Sequence, residues 1–109
     1  MDTTTFSALA EPNRLRIMEL LLSVAGPLTV GEIAARLDLQ QPQASKHLRV
    51  LLEAGLVEVE AVANRRNYKP RSEPLQELDA WLETYRKLWE ERFDNLEGYL
   101  QKLQSKKNT

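Results

Sequence analysis

The chain of 109 residues contains no cysteine. That excludes a disulfide framework and any thiolate metal site, and it makes a cytoplasmic setting the expectation. Histidine is nearly absent too: His47 stands alone, a poor basis for a metal site or for acid–base catalysis. Four glycines form no glycine-rich phosphate loop, and no Ser/His/Asp set is brought together, so an enzyme is not expected and no cofactor is implied. No apolar run approaches the roughly 20 residues of a membrane span. The opening "MDTTTFSALAEP" has no cationic region followed by an apolar core, so a secretion signal is not expected either.

What is present is a globular balance, 42% hydrophobic against 28% charged residues, enough for one modest core. Net charge is −1, which looks unpromising for a nucleic-acid partner, but its distribution matters more than its sum. Residues 1–39 carry three basic against five acidic side chains, and residues 72–109 carry six against eight. Between them, residues 40–71 carry six basic (Lys46, Arg49, Arg65, Arg66, Lys69, Arg71) against three acidic. The positive excess is confined to the middle of the chain.

Hydrophobic periodicity divides the chain into short helices. In "FSALAEPNRLRIMELLLSVAGP" the spacing of Leu15, Met18, Leu21 and Leu22 predicts one buried helix face, with Pro12 in the first turn and a shorter helix before it. Gly26-Pro27 ends the run. Thr29 and Glu32 stand at capping-box spacing, and Ile33, Ala34 and Leu37 predict a helix of two to three turns. The connection "DLQQP" is short, which makes the next helix cross steeply, as in a helix-turn-helix. On that second helix Ala44, Leu48, Leu51 and Leu52 point inward, while Gln43, Lys46, Val50 and Glu53 point outward and His47 and Arg49 lie on the flanks. Gly55 suits the left-handed residue that closes such a helix. "LVEVEAVANRRNYKP" then reads as a hairpin with a basic tip. The fold class is therefore mainly α with a two-stranded β-wing, a winged helix-turn-helix.

From about Pro74 to Leu103 the pattern becomes a long helix. Leu75, Leu82, Trp89, Leu96 and Leu103 stand seven apart, Leu78, Tyr85 and Tyr99 fill companion positions, and Arg92 is the one polar break. Thirty helical residues span roughly 45 Å, against some 25 to 30 Å for a domain of the remaining size. Part of the apolar stripe overhangs its own core, and a second subunit is the economical cover. Residues 1–73 are thus assigned as the DNA-binding core and 74–109 as a dimerisation helix with a short polar tail, within one structural domain.

"ALAEPNRLRIMELL", "LTVGEIAARL", "QPQASKHLRVLLEAGLVEVE" and "RRNYKP" together resemble, in order and spacing over residues 6–71, the ArsR-like winged-helix repressors of bacteria and archaea. The tail "LDAWLETYRKLWEERFDNLEGYL" is similar to a metal-independent branch of that family. The resemblance implies a homodimer, built from its N- and C-terminal helices, that binds an inverted-repeat operator and blocks transcription. Thiolate-sensing relatives have a cysteine pair where this chain reads "LTVGEI", and other metal sites of the family need histidines that the last helix lacks. Glu90, Glu91 and Asp94 there read as a solvated face rather than a cation site.

The expected partner is double-stranded DNA. Amide side chains pair bidentately with adenine and lysine with guanine acceptors, so Gln41, Gln43 and Lys46 are the candidate base readers. Helix capping or solvation is the alternative for the two glutamines. Gln40 stands where relatives have a serine cap, which weakens the definition of the helix start. Ser45 is assigned to a phosphate or to a local backbone bond, and Arg49 to a phosphate. His47 resembles a family residue that braces the helix or touches the DNA backbone. Asn64, Arg65 and Arg66 at the wing are expected at the flanking minor groove or its phosphates, and Tyr68 in wing–core packing. Leu75, Leu78, Leu82, Tyr85, Trp89 and Leu96 are the expected dimer interface. Trp81, Tyr85, Trp89 and Phe93 also leave open an unknown apolar effector between the long helices. The competing function is a protein-interaction module on the same scaffold, which gives the polar face of Gln41, Gln43, Lys46, Arg65 and Arg66 no purpose.

Overall fold

In the computed structural model, residues 3–107 are described. In chain order they form α1 (Thr3–Leu9), α2 (Pro12–Ser23), β1 (Leu28–Thr29), α3 (Val30–Leu37), α4 (Gln41–Glu53), β2 (Val57–Val62), β3 (Arg65–Pro70) and α5 (Ser72–Lys107). Each boundary has a local cause. The Glu11 carboxylate accepts from the Arg14 backbone N–H at 2.9 Å, and Pro12 fills the first turn of α2, where its missing donor costs nothing. Thr29 and Glu32 close the expected capping box on α3, each side chain accepting from the other residue's backbone N–H.

The turn between α3 and α4 depends on Asp38, whose φ of 55° and ψ of 45° are left-handed. Asp tolerates this region better than most side chains, though less well than Gly. The Leu39 N–H then reaches back to the Ala34 carbonyl at 2.9 Å, sealing the end of α3. At the far end of α4, Gly55 takes φ 76°. Its N–H donates to the Leu52 carbonyl, and the Leu56 N–H donates to the Leu51 carbonyl, both at 3.0 Å. Leu51 and Leu56 are fully buried, so this is a Schellman closure with its hydrophobic contact in place.

The core joins Ile17, Met18 and Leu21 of α2, Ile33 of α3, Leu48 and Leu51 of α4, and Leu56, Val57 and Tyr68 from the sheet side. Burying a leucine of this kind contributes about 1.5–3 kcal/mol. Two leucines depart from expectation. Leu15 is 42% and Leu22 55% exposed, because the buried face of α2 centres on Ile17, Met18 and Leu21 and the Leu15–Leu22 line lies roughly 100° round the axis from it. Leu37 and Leu52 are only partly buried, at the core's edge.

The wing is a three-stranded sheet in the order β1-β3-β2, all antiparallel. The hairpin was legible in the sequence, whereas two residues are too short for β1 to show alternation. Tyr68 lies at the centre, opposite Leu28 on one side and Val59 on the other, and is buried there. Ala63 and Asn64 link Val62 to Arg65, with Ala63 at φ 56°.

Arginines tie the helices together. The Arg14 Nε donates to the Ala8 carbonyl at 2.6 Å, holding the end of α1, and the Arg16 guanidinium donates to the Leu37 carbonyl at 2.9 Å, satisfying the last turn of α3.

By packing, the chain divides into two compact units, Met1–Gln76 and Glu77–Thr109. α5 begins in the first, where Leu75 packs against the core, and the Arg71 N–H donates to the Leu56 carbonyl at 2.9 Å just ahead of it. The second unit is the rest of α5, with Trp81, Tyr85, Trp89 and Phe93 in ring contact in turn at 5.6–6.0 Å between centroids. At 36 residues the helix is about 54 Å long. No helix among the described residues is long and apolar enough to cross a membrane.

Replacing Gly55 by Ala meets no neighbouring atom within 4 Å, so its cost is conformational, about 1–2 kcal/mol. Urea unfolding should give that loss with an unchanged m-value, while Asp38→Gly, which relaxes a left-handed residue, should leave stability equal or higher.

Candidate nucleic-acid interface

α4 is the element on which this surface depends. Ala44, Leu48 and Leu51 are fully buried against α2, α3 and β2. Residues three and four apart share a face, so that inward stripe fixes the outward one. Gln41, Gln43, Ser45, Lys46 and Arg49 are all exposed. Gln43, Lys46 and Arg49 succeed one another at intervals of three along the helix. Ser45, expected nearer the core flank, is also exposed. Gln40 is the N-cap residue and makes no side-chain cap bond, leaving the first backbone N–H groups of α4 without a capping side chain.

His47 is different. It is half-buried, and its Nδ1 lies 3.7 Å from Oε2 of Glu11, the residue that caps α2. The imidazole therefore faces the seam between α4 and α2 and sits beside the outward stripe rather than on it.

The wing supplies the second part of the surface. Asn64, Arg65 and Arg66 are exposed around the hairpin turn. The Arg66 guanidinium lies over the Tyr68 ring, 5.9 Å from its centroid, so a buried ring restrains an exposed cation. Lower on the hairpin Lys69 pairs with Glu58 directly opposite at 3.3 Å, an exposed pair worth little.

The two parts meet. An open groove of about 560 Å³ is bordered by Gln41, by Asn64, Arg65 and Arg66, and by Thr29 to Glu32 at the start of α3. The structure thus brings the start of α4 and the wing tip to one surface. Sequence reasoning assigned Thr29 and Glu32 to capping alone; their place in the groove follows from the β1–β3 pairing, for which the sequence carries no periodic signal. Within the groove the Glu32 carboxyl is held below the ordinary carboxylate range, first by the Thr29 backbone N–H, then by its hydroxyl, with Arg36 and Arg65 adding smaller electrostatic contributions. Among the described residues no group of three or more His, Asp or Glu is placed to hold a metal ion.

On α5, Leu82, Tyr85, Trp89 and Leu96 are exposed in the single chain, as are Leu88, Phe93, Tyr99 and Leu100. Leu75, also expected among the interface residues, is partly buried against its own core. Leu78 follows it by one turn.

Comparison with known proteins places this geometry. The family described as "Helix-turn-helix domain" matches residues 9–60. The HTH-type transcriptional regulator Rv2034 of Mycobacterium tuberculosis is 42% identical over 64 residues, 59% of this chain and 58% of that protein. The matched stretch spans about half the length of the curated relatives. The crystal structure of the ArsR family transcriptional regulator RHA00566 superposes with a TM-score of 0.68 at 32% identity, covering 81% of this chain and 89% of that one. The solution structure of Mb0332 from Mycobacterium bovis, described as a homodimeric winged helix-turn-helix DNA-binding domain, superposes with a TM-score of 0.63 at 29% identity over 78% and 77% of the two chains.

The cap at Thr29 gives a test of the groove's framework. Thr29→Ala should cost about 1 kcal/mol in urea unfolding. Because folding lowers the Glu32 pKa, its contribution is full above the unfolded value and is lost as pH falls through the folded one. The stability gap between wild type and Glu32→Gln should accordingly persist near neutral pH and close below about pH 4.

Proposed function

Because the chain belongs to the ArsR-like winged helix-turn-helix transcriptional regulators, we propose that it is a cytoplasmic, sequence-specific DNA-binding repressor that occupies an inverted-repeat operator as a homodimer. The observation that carries this reading is the shared surface of Gln41, at the start of α4, with Asn64, Arg65 and Arg66; Gln43 and Lys46 are exposed further along the same helix. One groove-sized ridge, the helix, stands beside one basic flank, the wing. That is the pairing a duplex requires: a reader for base edges and cations for the backbone.

In this reading Gln41, Gln43 and Lys46 meet base edges in the major groove. Ser45 and Arg49 meet phosphates, and the wing residues Asn64, Arg65 and Arg66 reach the adjacent minor groove or its phosphates. His47 holds α4 to the start of α2 and positions the reading face. The absence of cysteine and the lack of histidine on α5 favour the metal-independent branch.

Dimerisation is supported by the exposed stripe on α5 and by the homodimeric state given for Mb0332. Two-fold symmetry sets half-sites about one helical turn apart, near 34 to 36 Å. An apolar effector between paired α5 helices, able to change operator affinity, belongs to the same proposal.

Selection of bound sequences from a random DNA pool tests the reading directly, and a short palindrome is the expected product. With that site in hand, Gln43→Ala combined with Lys46→Ala should lower discrimination against unrelated DNA about ten-fold or more, while the subunit pair stays intact in sedimentation. Equal loss on all sequences would reassign both side chains to phosphates. The log–log salt slope of the wild type should lie at roughly −5 to −9, from three to five phosphates neutralised per subunit. A slope near zero contradicts the proposal.

A further inference from the structure

Arg92 interrupts the companion line of α5, otherwise Leu78, Tyr85 and Tyr99, that runs beside the heptad line from Leu75 to Leu103. At 100° per residue it lies about 20° round the axis from both Tyr85 and Tyr99, well inside the apolar stripe and away from its margin. Its own helix gives it no counter-charge. The residues one turn away, at three and four positions on either side, are Leu88, Trp89, Asn95 and Leu96. Glu90, Glu91 and Asp94 are close in sequence but project roughly 100° or more round the helix. Arg86, by contrast, has Glu83 one turn away and pairs with it.

The described contacts of Arg92 are aromatic. Its guanidinium carbon lies 5.9 Å from the centroid of the Trp89 ring, and Tyr85 meets the same ring edge-on at 6.0 Å. Tyr85, Leu88, Trp89 and Arg92 together line an indentation of about 40 Å³. A planar fork of donors with no acceptor of its own thus stands at the rim of an apolar, ring-walled hollow.

Covering the stripe with a second copy, as proposed above, takes this cation out of water. An unpaired buried charge is costly, and the second copy's stripe offers the same residue types, with no carboxylate on its heptad line. We infer that this hollow, brought together with its counterpart on the second subunit, is a binding site for an amphipathic carboxylate. The anionic head sits on the Arg92 guanidinium in the bidentate fashion that carboxylates favour, and the apolar body lies against Tyr85, Leu88 and Trp89. The site rests on the dimeric reading and gives the effector of that reading a chemical class. Differential affinity of such a ligand for two arrangements of the α5 pair is what couples it to operator binding.

Both tryptophans of the chain, Trp81 and Trp89, lie on α5, so intrinsic fluorescence reports on the site. The full chain is titrated with sodium decanoate below its micellar concentration and, in parallel, with 1-decanol, the uncharged match. Wild type should give a saturable change with decanoate. Arg92→Leu should weaken decanoate binding about ten-fold or more, as loss of a charge-assisted pair does, bring it level with decanol, and leave the subunit pair as stable or more so. Arg92→Lys, which keeps the charge and loses the fork, should fall between.

Sedimentation on the same samples separates the two ways of failing. A monomeric wild type defeats the dimeric reading and this site with it. A dimer with no saturable decanoate response, or an Arg92→Leu variant that binds decanoate as wild type does, overturns the site alone. A variant whose subunits separate while decanoate binding is unchanged also overturns it, and assigns Arg92 to a carboxylate of the second subunit.

Discussion

The burial of Ala44, Leu48 and Leu51 against α2, α3 and β2 is the constraint from which the rest of the molecule's surface chemistry follows. A helix of 13 residues has no independent stability to speak of in water, so α4 exists as a helix because its inner stripe is packed. Once that stripe is fixed, the rotation of α4 about its axis is fixed too, and Gln43, Lys46 and Arg49 have only one direction to face. The left-handed Asp38 and the Schellman closure at Gly55 hold the two ends. The bond from Arg16 to the Leu37 carbonyl sets where the preceding helix stops. The polar outward face of α4 is thus a consequence of its packing.

The wing obeys the same logic from the other side. Tyr68, buried between β1 and β2, anchors the hairpin in the core and lets the exposed Arg66 stack on its ring. Rigidity inside is what allows charge outside to be placed. The net charge of the chain, −1, conceals this, because the basic excess of residues 40–71 is concentrated on α4 and the hairpin, with the acidic excess before and after it. Glu32 keeps one negative charge within the groove, where it is committed to the cap of α3.

Much of this was legible in the sequence, and the misses are instructive. The capping box at Thr29 and Glu32, the closing Gly55, the inward Ala44, Leu48 and Leu51 and the buried Tyr68 each carry a local signal whose physical cause operates over a few residues, so reading the sequence found them. Leu15 and Leu22 misled because a helix can carry more apolar residues than its own core can bury, and spacing alone does not say which line faces inward. The strand Leu28–Thr29 was invisible because its partner lies about forty residues away and two residues have no period. The groove that joins Gln41 to Arg65 depends on that pairing, so its outline could not be read from the sequence. Heptad spacing likewise does not show that Leu75, at the start of α5, is partly buried against the core of its own chain.

α4 and α5 present opposite chemistries, the one amide and cation, the other aromatic and aliphatic. In the proposed function symmetry joins them: the apolar helices pair two copies, and pairing presents two reading helices to one duplex. Hydroxyl-radical footprinting of the purified protein on a site it selects tests that union most directly. Two protected stretches are expected on one face of the duplex, centred about one helical turn, near 10 base pairs, apart. A single protected stretch, or even protection with no helical phase, would contradict it.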